Sequence, residues 1–134
     1  MNMCIFCKII HKDIPSTIVY EDEDVLAILD ISQVTKGHAL IMPKVHVEDV
    51  LVCPSVLYSK MSCVAQDLAK AMMSKLNAKG VNILTNAQIA AGQTIPHFHI
   101  HIIPRYNESD GFYVQFKANP DVDLKEVREK LTSK

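Results

Sequence analysis

The chain lacks an excess of charge of either sign, any long hydrophobic run, and any repeat or low-complexity tract. Its formal net charge is -1. A polyanion such as DNA or RNA would find no basic surface to bind, so any nucleotide recognition must be local. No apolar stretch approaches the roughly 18 residues that a membrane span needs, which excludes the membrane as a partner. The first residues, Met-Asn-Met-Cys-Ile-Phe-Cys, have no basic segment followed by an apolar one, so they do not read as a secretory signal, and the expected location is the cytoplasm. Thiols are kept reduced there, so the four cysteines are not expected to form disulfides. Cys53 and Cys63 then read as small buried apolar residues. Cys4 and Cys7 form a Cys-x-x-Cys pair, whose redox use requires a thioredoxin-like βαβ setting that is absent here. A structural zinc would need two more ligands.

What is present is a soluble-protein balance of 49% hydrophobic and 22% charged residues over 134 positions, enough for one domain with a real core, taken here as 1–134. Residues 17–21 and 25–29 are apolar or β-branched runs around the acidic turn 21–24, a hairpin pattern. Gly37 permits a sharp turn into a third strand, 38–42, stopped by Pro43. Residues 44–51 read as a short helical turn. Leu57, Met61, Val64, Leu68, Met72 and Leu76 fall at helical spacing and predict a helix over 55–77, ended by Lys79-Gly80. A fourth strand, 81–84, and a loop, 90–94, lead to the segment 97–103. Asp123-x-x-Glu126 resembles a capping box and opens a tail helix carrying Leu124, Val127 and Leu131. This order predicts an antiparallel α+β domain.

The segment 97–103 reads His-Phe-His-Ile-His-Ile-Ile. On a strand, side chains alternate between faces, so His97, His99 and His101 share one face while Phe98, Ile100 and Ile102 share the core face. Imidazole acts as acid, base, nucleophile or metal ligand near neutral pH. Alternate residues on a strand sit about 7 Å apart, too far for three to bind one ion easily. A division of labour fits better, with one ring attacking and another donating a hydrogen bond.

This segment resembles the signature of the histidine triad (HIT) family, His-φ-His-φ-His-φ-φ with φ apolar. The resemblance extends to Cys4 through Ile10, to Leu29-Asp30-Ile31, to Gly37-His38 followed by Pro43-Lys44-Val45-His46, and to Asn86 with Gly92-Gln93-Thr94. It is strongest to the histidine triad nucleotide-binding branch and its microbial relatives. It implies a five-stranded antiparallel sheet with one long helix and a short C-terminal helix. It also implies a homodimer joined through the long helix and an edge strand. Phe112, Tyr113 and Phe116 lie in the segment from about Tyr106 where family members differ, and are expected to reach the partner's active site and shape the choice of leaving group.

The implied activity is hydrolysis of a purine nucleotide or nucleoside phosphoramidate at the α-phosphorus. Within the same resemblance, the alternatives are diadenosine polyphosphate hydrolysis or a nucleotide-binding scaffold with little activity. His99 would be the nucleophile, His101 a donor to the phosphate, and His38 a support behind the triad. Asp30 would hold the ribose. Asn86, Gln93 and Thr94 would meet sugar, phosphate or leaving group, and Ile9, Ile28 and Ile31 would line a base slot. Relatives that keep both cysteines imply a structural zinc held by Cys4, Cys7, His46 and His97.

Overall fold

A computed structural model describes the chain from residue 4 to residue 134. Met1 to Met3, part of the N-terminal stretch read above, lie outside the described residues. The elements are α1 (Ile5–Ile10), β1 (Ile18–Glu21), β2 (Val25–Leu29), β3 (Ala39–Pro43), α2 (Ser55–Lys75), β4 (Gly80–Leu84), β5 (Ile100–Arg105) and α3 (Leu124–Thr132). A single 3₁₀ turn, Ile89–Ala91, lies between β4 and β5. The strands form one antiparallel sheet in the order β1-β2-β3-β5-β4. The expected α+β class, five-stranded sheet, long helix and C-terminal helix are all present. No described helix is long and apolar enough to cross a membrane.

Both faces of the sheet are covered, and that decides what the triad segment can do. On one face α2 buries Met61, Val64, Ala65 and Met72 against Val25, Ala27, Ala39, Ile41, Phe98, Ile100 and Ile102. On the other, Phe6, Ile9 and Ile10 of α1 pack on Leu26, Ile28, Leu40 and Met42. Phe98, Ile100 and Ile102 therefore face α2, as period two requires. The histidines face α1, where Phe6 meets the rings of His97 and His99 edge-on. The histidine row is not a solvated face: His97 is fully buried.

Several elements depart from expectation for local reasons. Helix α1 has only six residues and is capped by a cysteine, whose sulfur accepts from the Cys7 N–H, so it carries none of the usual cap residues. Residues 44–51 form no helix, because the Val47 and Glu48 carbonyls are engaged by Phe98 N–H and the Gln93 amide. Helix α2 ends before Lys79-Gly80: Asn77 adopts φ 59 while Leu76 N–H and Ala78 N–H both return to the Met72 carbonyl. Strand β5 starts at Ile100 rather than at His97, since the His97 and Phe98 amides bond Ile95 and Val47 instead of the ladder. It also runs through Pro104. β3 pairs only with Ile100 to Ile102, so beyond that point β5 is open on one side, where proline is tolerated. Cys63 is exposed on α2 and Cys53 only partly buried, correcting the reading of both as core residues.

Candidate active site

The site begins where α1 meets the extended approach to β5. The Cys4 sulfur lies 3.3 Å from His97 Nδ1. The Cys7 sulfur lies 3.3 Å from His46 Nδ1 and 3.6 Å from His97 Nδ1. His97 Nε2 donates to the Pro43 carbonyl at 3.0 Å, which leaves the Nδ1 lone pair facing the two sulfurs. Burial first holds the His97 ring neutral, with its pKa lowered to about 4 against the opposing pull of the Pro43 carbonyl. Donor atoms from Cys4, Cys7, His46 and His97 all lie within 4.8 Å of one another. Tetrahedral bonds of about 2.0–2.3 Å set donors roughly 3.3–3.8 Å apart, so two thiols and two imidazoles here fit a zinc ion in number, softness and spacing.

Two residues on, His99 Nδ1 donates to the carbonyl of His97 at 2.7 Å. That fixes the tautomer and leaves the Nε2 lone pair unprotonated. Burial lowers the His99 pKa, opposed by the His97 carbonyl and by Asp30. The hydroxyl of Thr85 donates to the His99 carbonyl at 2.7 Å and ties the end of β4 to this residue.

His101 continues the row. Its Nδ1 lies 3.0 Å from Nε2 of His38, a residue only 3% exposed. The Val34 N–H points at His38 Nδ1 from 3.4 Å, while the Ser32 carbonyl favours the charged ring. In the tautomer that the Val34 contact favours, the His38 proton sits on Nε2 and is donated to His101 Nδ1, and neutral His101 then carries its own proton on Nε2. Burial is the largest cause lowering both pKa values, that of His101 to about 4, with His99 and His38 adding to its shift. Asp30 opposes both shifts; its Oδ2 lies 3.7 Å from His38 Nε2. Its Oδ1 accepts the Ser32 N–H at 2.8 Å, so this carboxylate also shapes the turn after β2.

The remaining sequence-predicted residues separate. Ile9 on α1 and Ile28 on β2 are core members packed in one cluster, whereas Ile31 is 98% exposed. Asn86 is half-buried beside Gly92. Thr94 is exposed and lines an open cavity of about 620 Å³ with Cys4, His46 and Glu48. A cavity of similar size, about 630 Å³, lies at the far end of β4 and β5 around Lys79 and Arg105, away from the triad. The Gln93 side chain is turned into its own loop. It donates to the Glu48 and Ile95 carbonyls at 2.8 and 3.1 Å and accepts the Gln88 N–H at 2.9 Å. Sequence reasoning passed over Phe6, Thr85, Gln88 and Asp49. Thr85 has a signal in its place next to Asn86, but a lone buried aspartate has none.

Three kinds of comparison bear on this geometry. A family model described as the HIT domain matches residues 11–108. The Bacillus subtilis protein named Protein hit is 49% identical over 118 residues, spanning 88% of this chain and 81% of that protein. An adenylylsulfatase of Arabidopsis thaliana is 39% identical over 104 residues, 78% of this chain and 53% of its own length. Among solved structures, a HIT family protein from Bacillus anthracis superposes with a TM-score of 0.91 at 44% identity, covering 98% of this chain and 94% of that one. A zinc-bound histidine triad family protein from Mycobacterium smegmatis gives a TM-score of 0.77 at 40% identity, covering 89% and 84%.

Proposed function

The chain belongs to the HIT family, and from that membership we propose that it is a nucleotide hydrolase acting at the α-phosphorus through a nucleotidyl-His99 intermediate. The observation that carries this reading is the 2.7 Å bond from His99 Nδ1 to the His97 carbonyl, which commits the other ring nitrogen to be a lone-pair donor. In the first step Nε2 of His99 forms a bond to phosphorus. The bond from phosphorus to the leaving amine breaks, and the amine takes up a proton from solvent as it departs. In the second, water forms a P–O bond and releases a proton to solvent while the P–N bond to His99 breaks, giving a nucleoside monophosphate and neutral His99. His101, protonated on Nε2, donates to a phosphoryl oxygen as charge builds there. His38 holds that tautomer.

Asp30, at the end of β2, is proposed to accept the ribose hydroxyls. Asn86 and Thr94 would approach sugar, phosphate or leaving group, with Gln93 shaping their loop. Ile9 and Ile28 would floor the base slot and Ile31 would edge it. Cys4, Cys7, His46 and His97 would hold zinc, which with four protein ligands has a structural role. A second copy would pair through the β4 edge and α2. We place this activity in the cytoplasm, where the thiols stay reduced.

A panel of adenosine phosphoramidate, adenylyl sulfate and diadenosine polyphosphate tests the reading and ranks the leaving groups. The phosphoramidate should turn over fastest, and His99→Ala should bring every rate to background. The adenylyl sulfate arm is included because a relative is named an adenylylsulfatase. A His99→Ala protein that hydrolyses the panel at the wild-type rate would remove the mechanism. Tight nucleotide binding without turnover by the wild type would favour a scaffold role.

A further inference from the structure

Three consecutive residues after His46 each receive one hydrogen bond from the approach to the triad. The Val47 carbonyl accepts Phe98 N–H at 2.6 Å, and the Glu48 carbonyl accepts the Gln93 amide at 2.8 Å. The third acceptor is a side chain: Asp49 Oδ2 takes the Gln88 amide at 2.5 Å, while its Oδ1 takes Leu51 N–H at 2.9 Å. Asp49 is 2% exposed, and among the described residues no cation lies within ion-pair distance of it. A buried carboxylate with only neutral donors is costly to keep, and both its oxygens are used here.

What Asp49 grips is the hub of the loop. Gln88 is not glycine, yet it adopts φ 76 and ψ 160, a backbone region that persists only where neighbours over-determine it. Its carbonyl accepts Ala91 and Gln93 N–H, and its own N–H goes to the Gln93 side chain. Asn86 lies two residues before it, and Thr94 follows Gln93.

We propose that Asp49 is a positioning residue: by holding Gln88 in this strained conformation it sets the loop that presents Asn86 and Thr94 to the phosphate. The inference rests on the nucleotide-hydrolase reading.

The test uses the full chain with three variants: Asp49→Asn, Gln88→Glu and the two together. Asp49→Asn leaves one oxygen for two donors, and Gln88→Glu sets carboxylate against carboxylate. The double variant restores both bonds with the donor reversed and the net charge unchanged. Each single variant should lower kcat/KM and the affinity for a nucleoside monophosphate by roughly tenfold or more. The affinity for the plain nucleoside should not change. The double variant should return to near wild type, and hydrogen exchange of residues 88–94 should quicken in the singles and slow again in the double. Folded single variants with wild-type monophosphate affinity, or a folded double variant that recovers nothing, would overturn the proposal. Equal loss of nucleoside and monophosphate affinity would overturn it too, by marking a general structural defect. If the wild type binds no nucleotide, the functional reading falls instead, and the exchange measurement alone decides whether Asp49 holds the loop.

Discussion

Five histidines cluster here, and what each ring can do follows from what its nitrogens touch. His97 gives its Nε2 proton to Pro43 and turns Nδ1 to two sulfurs, while its carbonyl orients His99. Alternation alone shows which residues share a face. It does not show which ring nitrogen is protonated, because that depends on Pro43, Val34 and His38, residues distant in sequence. The pKa of His101 is held near 4 in the fold against about 6.5 when unfolded. The folded ring thus stays neutral where the unfolded one takes a proton. The stability it contributes is complete above about pH 6.5, is lost as pH falls toward about 4, and changes no further below that. The loss is on the order of 3 kcal/mol, and His38, shifted the same way, adds to it. Urea unfolding at pH 7 and pH 4.5 should show the drop, and His101→Asn should show a smaller one.

At the scale of elements, the turn before β3 depends on Gly37, which sits at φ 102 with a hypothetical Cβ 2.6 Å from the Leu76 side chain. Gly37→Ala should destabilise the protein by about 2 kcal/mol in denaturant melts, from the backbone penalty and the clash together. Helix α1 depends on the sulfur cluster. The wild type is expected to bind one zinc per chain, and Cys7→Ser to lose it and to melt roughly 5–15 °C lower, read by metal analysis and calorimetry. The long helix and the strands were legible because their apolar spacing matches the period of each element. Helix α1 was not, because six residues carry too little periodicity and its cap is a thiol. The 44–51 segment misled for the opposite reason: its composition permits a turn of helix, but its carbonyls are claimed from across the fold.

At the scale of the molecule, the two-sided sheet is what turns a row of histidines into a sheltered site, with α2 burying one side of the triad segment and α1 covering the other. The family resemblance made the sheet, the triad and the grouping of Cys4, Cys7, His46 and His97 legible together, and the structure brings the donor atoms of those four residues within 4.8 Å of one another. It did not make Asp49 legible, since its role appears only once the 46–49 segment lies against the loop. β4 ends the sheet with Ile83 51% exposed. Sedimentation at micromolar concentration should give a dimer, and Ile83→Glu should shift it toward monomer.

The proposed activity stands on a bond from His99 Nε2 to phosphorus. Acid-quenched protein taken during turnover of an adenosine phosphoramidate, analysed by intact and peptide mass spectrometry, reads that bond directly. A mass increase of one adenylyl group mapped to His99, absent from His99→Ala, is the predicted result. Full turnover with no adduct at any quench time, or with the adduct on His97 or His101, would contradict it.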